Sequence, residues 1–336
     1  MIALTGGGTG GHLNIVNCLL QSAVKQNLDC IYIGSENGQD KKWFETQSLF
    51  KAKYFLSSSS VVNQSKLNKI KALFHILKLA FECKKIFKTH NVKAVFSVGG
   101  YSAAPASFGA ILANIPLFIH EQNSKSGSLN TLLKPFSKAF FSAFEESFCP
   151  YPVDDKFFQN ARKREKLEKI IFLGGSQGAT FINKLALELA PTLHQKNIKI
   201  IHQCGKNDFE FCQKSYKDLN IEVDLFDFSQ NLELKMQEAD LAISRAGAST
   251  LFELCANELP SIFIPYPYAT KNHQFFNAKF LEDMNLCKIF IQKDLNKDLL
   301  LQSIFNLDLK YISQNLKGKA SLNGADFMLN SAKEFF

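Results

Sequence analysis

The chain has 336 residues, of which 46% are hydrophobic and 21% charged, and its 39 basic and 31 acidic side chains leave a formal net charge of +8. That length exceeds one ordinary hydrophobic core and predicts two domains of about 150 residues each. The sequence offers neither a run of roughly 20 apolar residues nor a basic-then-apolar leader, so the expected class is a folded protein without a membrane span or secretory signal.

In chain order, IALT (residues 2–5) predicts a strand closed by the turn GGGTGGH (6–12), then a helix from about Leu13 to Gln26. CIYIGS follows as a second strand, and the lysine-rich stretch from Lys66 to Lys88 as a long helix. AVFSVGG, a helix around Ala103 to Ala113 and PLFIHEQN complete the first half. Residues 148–169, FCPYPVDDKFFQNARKREKLEK, carry two prolines and a dense run of charges, which predicts a linker at 151–169 between domains at 1–150 and 170–336. The second half restarts with KIIFLGGSQG, a helix to about Leu193, IKIIHQCG, IEVDLF, DLAISRAG, another helix and PSIFIPYP. The stretch from Ser321 to Phe336 reads as helical and is expected to pack back on the first half. Strands alternating with amphipathic helices predict mostly parallel sheets covered on both faces. The expected fold is α/β, with two Rossmann-like doubly wound domains facing each other across a cleft.

Three turns carry most of the chemical signal: GGGTGGH, GGYSAAP (99–105) and GGSQGAT (174–180). Glycine lets the backbone turn sharply after a strand and lets a ligand approach the amides. A helix N-terminus behind such a turn suits phosphate. One such turn is equally well a tight connection without ligand; three at the ends of strands favour a shared site. Gly6, Gly8 and Gly11 also fit G-x-G-x-x-G, and Glu36 lies near the position of a ribose-binding acid. The repeat of these features in the second half, which a dehydrogenase does not require, speaks against a nicotinamide enzyme.

The stretch 244–278 is densest in polar groups: SRAGAST, then Glu253 one turn into a helix, where its carboxylate can accept two hydrogen bonds from a ribose diol. Asn272, His273, Gln274 and Asn277 follow the next strand. Helix capping and loop support are the competing roles for these side chains. The eight cysteines are scattered without a C-x-x-C pair, which predicts reduced thiols and no metal or redox motif.

In the lysine-rich helix, Leu67, Ile70, Leu73, Phe74, Leu77 and Phe81 recur at spacings of three and four, flanked by Lys69, Lys71, Lys78, Lys84, Lys85 and Lys88. Such a stripe packs onto its own sheet or faces an anionic surface.

Taken together, GGGTGGH, GGYSAAP, HEQN (120–123), GGSQGA and SRAGAST with Glu253 resemble the MurG family of bacterial cell-wall glycosyltransferases, in order, from about residue 2 to residue 280. The resemblance implies a two-domain GT-B fold and transfer of N-acetylglucosamine from UDP-N-acetylglucosamine to the 4-hydroxyl of lipid I, giving lipid II for peptidoglycan. It implies donor contacts at Ser176, Gln177 and Gly178, at Ala248, Ser249 and Thr250, at Glu253 for the ribose, and at Gln274 and Asn277 for the sugar. Ser229 falls near the family's uracil contact. Thr9, Gly10, Gly11, His12 and Asn123 are expected at the sugar-nucleotide, with Gly99, Gly100, Tyr101, His120 and Glu121 on the acceptor side. His12 is the candidate base, since an unperturbed imidazole titrates near 6.5; orienting the loop or binding acceptor phosphate is its other role. No cofactor or divalent cation is implied. The expected partners are UDP-N-acetylglucosamine, lipid I and the anionic inner leaflet, without nucleic acid. The expected location is the cytoplasmic face of the inner membrane, reached peripherally through Lys69, Leu73, Phe74, Leu77 and Lys78. A UDP-sugar epimerase or another GT-B glycosyltransferase is the alternative.

Two departures stand out. LNIVN replaces the family's apolar-Phe-Pro run after the histidine, and Asp154 stands where the family usually carries an interdomain arginine. Donor binding then either lacks that cation or recruits another, with Lys156, Arg162 and Arg245 as the candidates.

Overall fold

The computed structural model describes residues 1–58, 66–145, 149–175 and 177–335, without the side chains of Lys66, Leu67 and Lys69. The chain divides into two compact units, Met1–Val153 with Asn323–Phe336, and Asp154–Leu322.

The first unit runs β1 (Ile2–Thr5), α1 (Gly10–Lys25), β2 (Cys30–Ser35), α2 (Asp40–Phe44), β3 (Ala52–Leu56), α3 (Lys66–Thr89) and β4 (Ala94–Ser97). It continues with α4 (Ala104–Leu112), β5 (Leu117–Glu121), α5 (Ser128–Leu133) and β6 (Ala139–Ser142). The second unit runs α6 (Asp155–Gln159), β7 (Lys169–Leu173), α7 (Thr180–Gln195), β8 (Lys199–Gln203), α8 (Phe209–Asp218), β9 (Asp224–Phe226) and α9 (Leu232–Glu238). Next come β10 (Leu241–Ser244), α10 (Ala248–Ala256), β11 (Ser261–Phe263), α11 (His273–Glu282), β12 (Cys287–Ile289), α12 (Lys297–Asn306) and α13 (Leu309–Leu316). The chain then re-enters the first unit through α14 (Gly324–Asn330).

Each unit builds one six-stranded parallel sheet, ordered β3-β2-β1-β4-β5-β6 and β12-β11-β10-β7-β8-β9. Both have the doubly wound order, in which connections reverse direction between the first and fourth strands. In the first sheet Thr5 pairs with Ser97 across that reversal, and in the second Leu173 pairs with Ser244. The four glycine-bearing turns, after β1, β4, β7 and β10, therefore open at the two crevices where such sheets bind ligands. Strands buried on both faces explain the continuous apolar runs: Ile170, Ile171 and Phe172 are all fully buried.

The structure departs from the sequence expectation in places that short-range pattern does not reach. β3 and β6 are edge strands with mixed, half-buried residues, and α2, α8 and α12 are short or weakly patterned. α1 starts at Gly10 rather than Leu13, so His12 stands in its first turn. The charged run expected as a linker is built into the second unit. Arg164 is fully buried there, donating to the carbonyls of Ala239, Met236 and Asn257 and to the Asn257 side chain, while Arg162 pairs with Asp240 at 2.7 Å. A guanidinium with that many acceptors pins the chain instead of leaving it loose.

In α3 the buried residues are Ile76, Leu79, Ala80, Cys83, Ile86 and Phe87, facing α4 where a Cβ on Gly109 would meet Cys83. Ile70, Leu73, Phe74, Leu77 and Phe81 are exposed, with Phe74 at 69%. The helix thus has two apolar stripes, and the one singled out in the sequence is not the core face.

Candidate active site

In the first unit the glycine turns are filled by the protein itself. The Asp40 carboxylate, fully buried, accepts hydrogen bonds from the Gly8 amide at 2.5 Å and the Ser35 amide at 3.0 Å. Tyr101 donates from its hydroxyl to the Asn37 carbonyl at 2.7 Å, and the Gly7 amide donates to the Gly99 carbonyl at 3.3 Å. Gly100 has φ +79°, and a Cβ there would strike the Gly7 carbonyl, so GGYSAAP is glycine-rich because two turns touch backbone to backbone. A carboxylate already occupies the Gly8 amide, one that a phosphate would seek. The expectation of an anion-binding first turn is corrected at Gly8, and Glu36, exposed, is not the acid that serves it.

His12 follows in the first turn of α1, half-buried. Its Nδ1 lies 2.8 Å from the Thr9 hydroxyl, and Gln122 brings its Nε2 to 3.0 Å from the His12 Nε2. HEQN sits at the carboxyl end of β5, where the doubly wound order sets it beside β4 and the turn that follows it. His120 is fully buried against Tyr151, with ring centroids 5.4 Å apart, and neither ring nitrogen has a hydrogen-bond partner among the described residues. Burial, helped by the nearby His12, pulls its pKa down to about 3. The buried Glu121 carboxylate accepts from the Asn123 and Gly127 amides and from Asn130 Nδ2, all near 3 Å. Glu121, expected on the acceptor side, thus braces the loop that follows it, and His120 lies fully buried. Gln122 and Asp40 were missed in the sequence because their partners lie 110 and 32 residues away.

In the second unit a cavity of about 440 Å³ opens at the sheet's reversal. Gly174, Gly175, Gly178 and Thr180 line one side, Arg245, Gly247 and Thr250 another, with Phe181, Tyr266, Gln274 and Gln292 completing it. A Cβ on Gly175 or Gly247 would meet nothing within 4 Å, so these two glycines keep bare backbone toward open space. Gly178, φ +76°, instead makes room for the Cys204 carbonyl.

Of the expected donor contacts, Gly178, Thr250 and Gln274 line this cavity, whereas Gln177, Ala248, Ser249, Glu253, Asn277 and Ser229 do not, and Ser176 lies outside the described residues. Gln274 accepts from the Tyr266 amide at 2.9 Å. Asn277 is fully buried and donates to the Ala246 carbonyl at 3.1 Å, which makes it a brace for the Arg245–Gly247 turn. Glu253 is buried within α10, and the Ser229 hydroxyl accepts from the Asn231 amide. Phe181, Tyr266 and Gln292 were not anticipated. Gln292 follows β12, and the rule that ligands sit beyond strand carboxyl ends would have found it.

Of the three cations proposed to replace the interdomain arginine, Lys156 lies between Asp154 and Glu233 at 3.8 and 3.7 Å, and Arg162 is held by Asp240. Arg245 alone of the three lines the cavity.

Two doubly wound parallel sheets with glycine-bearing turns at their reversals define the two-domain GT-B class of fold. Family models match both halves, the glycosyltransferase family 28 N-terminal domain over residues 2–142 and the C-terminal domain over 169–334. The chain is 67% identical over 331 residues to the UDP-N-acetylglucosamine–N-acetylmuramyl-(pentapeptide) pyrophosphoryl-undecaprenol N-acetylglucosamine transferase of Campylobacter jejuni, covering 98% of this chain and 97% of that one. With the Wolinella succinogenes protein of the same name it shares 50% over 329 residues, 97% and 98% of the two chains. Among solved structures, MurG of Acinetobacter baumannii aligns at 27% identity with a TM-score of 0.80 over 99% of each chain. A UDP-N-acetylglucosamine 2-epimerase from Neisseria meningitidis aligns at 14% identity and TM-score 0.65, covering 99% and 100%, a likeness of fold alone. The chain belongs to glycosyltransferase family 28 and, within it, to these N-acetylglucosamine transferases of the MurG type.

Proposed function

We propose that the cavity of the second unit receives the nucleotide of UDP-N-acetylglucosamine, and that the chain moves the sugar to the 4-hydroxyl of lipid I to make lipid II. The observation that carries this reading is the cavity itself, which gathers Gly174, Gly178, Thr250 and Gln274 from motifs spread over 100 residues. Displacement of UDP with inversion needs a base for the acceptor hydroxyl and dipoles for the departing diphosphate. His12 takes the first role, its ring steadied by Thr9 and Gln122, with Gly10, Gly11 and Asn123 toward the sugar-nucleotide and Gly99, Gly100 and Tyr101 framing the acceptor side. The amides of Gly175 and of residues 177–180, leading into α7, take the second. Ala248, Ser249, Gln274 and Asn277 shape the sugar pocket, and Glu253 turns its carboxylate to the ribose once nucleotide is bound.

The reading includes peripheral attachment to the inner leaflet, on its cytoplasmic face, through α3. No helix among the described residues is long and apolar enough to cross a membrane. An exposed apolar stripe beside exposed Lys71, Lys78, Lys84, Lys85 and Lys88 suits an anionic surface, where each lysine contributes about 1 kcal/mol. The side chain of Lys69 lies outside the described residues.

UDP release from UDP-N-acetylglucosamine, followed with and without a lipid I analogue, tests the reaction. Release that depends on the analogue, with a β-linked disaccharide product, is expected. Release or sugar isomerisation without the acceptor would overturn it in favour of epimerase chemistry.

A further inference from the structure

Of the described residues that line the cavity, Arg245 is the only one bearing a charge. It is 8% exposed, and no carboxylate pairs with it among the described residues. Its guanidinium is held by neutral groups: Nη1 donates to the carbonyls of Ile264 at 2.9 Å and Pro265 at 3.1 Å, and Nη2 donates to Gln292 Oε1 at 2.7 Å. The Nε–H is buried and has no acceptor among the described residues. Phe181 and Tyr266 keep the plane in place, with centroids 5.5 and 5.7 Å from the central carbon. Burial pulls the Arg245 pKa down to about 10, which leaves it charged at neutral pH.

A buried cation solvated only by neutral dipoles is costly, and an anion drawn into the cavity offsets that cost. The remaining walls point the same way. α7, 16 residues long, begins at Thr180 on the cavity rim, and Gly175 and Gly247 leave their backbone uncovered toward it.

We propose that Arg245 is the cation that binds the diphosphate of the uridine nucleotide, the unmatched charge in a cavity walled by glycine turns and neutral side chains. The proposal rests on the donor-site reading above and deepens it by assigning recognition of the phosphates, as distinct from the nucleoside, to this one side chain. Because the charge acts through a low-dielectric wall, it favours the anion even though Ile264, Pro265 and Gln292 already accept from both branches of the fork.

Calorimetric titration with uridine, UMP and UDP separates the parts. The native chain is expected to bind UDP well above uridine. In Arg245→Gln, UDP affinity should fall at least tenfold, UMP less, and uridine by no more than twofold. Should Arg245→Gln fail to fold, Gln292→Glu sets a carboxylate against the guanidinium from a half-buried surface position and should bring the same selective loss. An equal fall for uridine and UDP would make Arg245 an architectural residue and overturn the proposal, as would unchanged UDP affinity in the folded Gln or Glu variant. A native chain that binds neither uridine nor UDP would instead sink the donor-site reading itself.

Discussion

A carboxylate that accepts two backbone amides in a fully buried position does for the first glycine turn what a bound anion does elsewhere. Asp40 holds Gly8 and Ser35 at 2.5 and 3.0 Å, and bonds to a charged acceptor are worth about 1.5–3 kcal/mol each. Asp40→Asn keeps the shape but turns one acceptor into a donor facing an amide. It should destabilise the first unit by about 2–4 kcal/mol in urea unfolding, and an unchanged midpoint would show that the carboxylate does not hold the turn. His120 makes a second residue-scale prediction. Its folded pKa is depressed to about 3, so above the unfolded value near 6.5 both states are neutral and its effect is nil. As pH falls from 6.5 toward 3 the unfolded chain takes up a proton that the folded one refuses, and stability drops by up to about 1.4 kcal/mol per pH unit. Urea midpoints at pH 7.5, 6 and 5 should therefore fall less steeply in His120→Phe than in the native chain; parallel curves would refute the burial argument.

At the scale of the element, α3 shows that one helix carries two apolar stripes with different destinations. Ile76, Leu79, Ala80, Cys83, Ile86 and Phe87 pack inward, whereas Ile70, Leu73, Phe74, Leu77 and Phe81 remain in solvent. Leaving five large apolar side chains exposed on one helix marks an interaction surface. With lysines around it, the partner expected is an anionic bilayer, bound by apolar insertion and by charge. Co-sedimentation with vesicles should rise with anionic lipid and fall with salt. The double change Phe74→Ser with Leu77→Ser should abolish most of the binding while UDP affinity stays the same. Equal binding to neutral and anionic vesicles would remove the electrostatic part of this reading.

At the scale of the whole molecule, the chain begins and ends in the same unit. α14 returns to α1, where Ser22 donates to the Asp326 carboxylate and Gln26 approaches it at 3.3 Å. Phe327 and Phe335 reach Phe141 and Phe118 of the first sheet, with centroids 6.4 and 5.5 Å apart. Leu329 is fully buried there, so Leu329→Ala should cost about 2–5 kcal/mol. Proteolysis or hydrogen exchange should register that loss in strands β1 to β6, far away in sequence; a loss confined to β7 to β12 would contradict the assignment of α14 to the first unit.

The sequence by itself determined the alternation of strand and helix, the two doubly wound halves, the turns after β1, β4, β7 and β10, and the family. These follow from local chemistry: apolar runs for strands buried on both faces, and glycine where the backbone must turn. Only the tertiary structure decided which glycine turns are free for a ligand. Nothing near GGGTGGH announces that Asp40 fills it, because the pairing is made by a return of the chain from β2. Arg245 was legible as one of three candidate cations, and its neutral cage of Ile264, Pro265 and Gln292 comes from two separate segments. The stripe on α3 was visible as a period, but a period gives a face and not its neighbour. The face that α4 covers was settled by a close approach at Gly109, a long-range contact that no local pattern encodes.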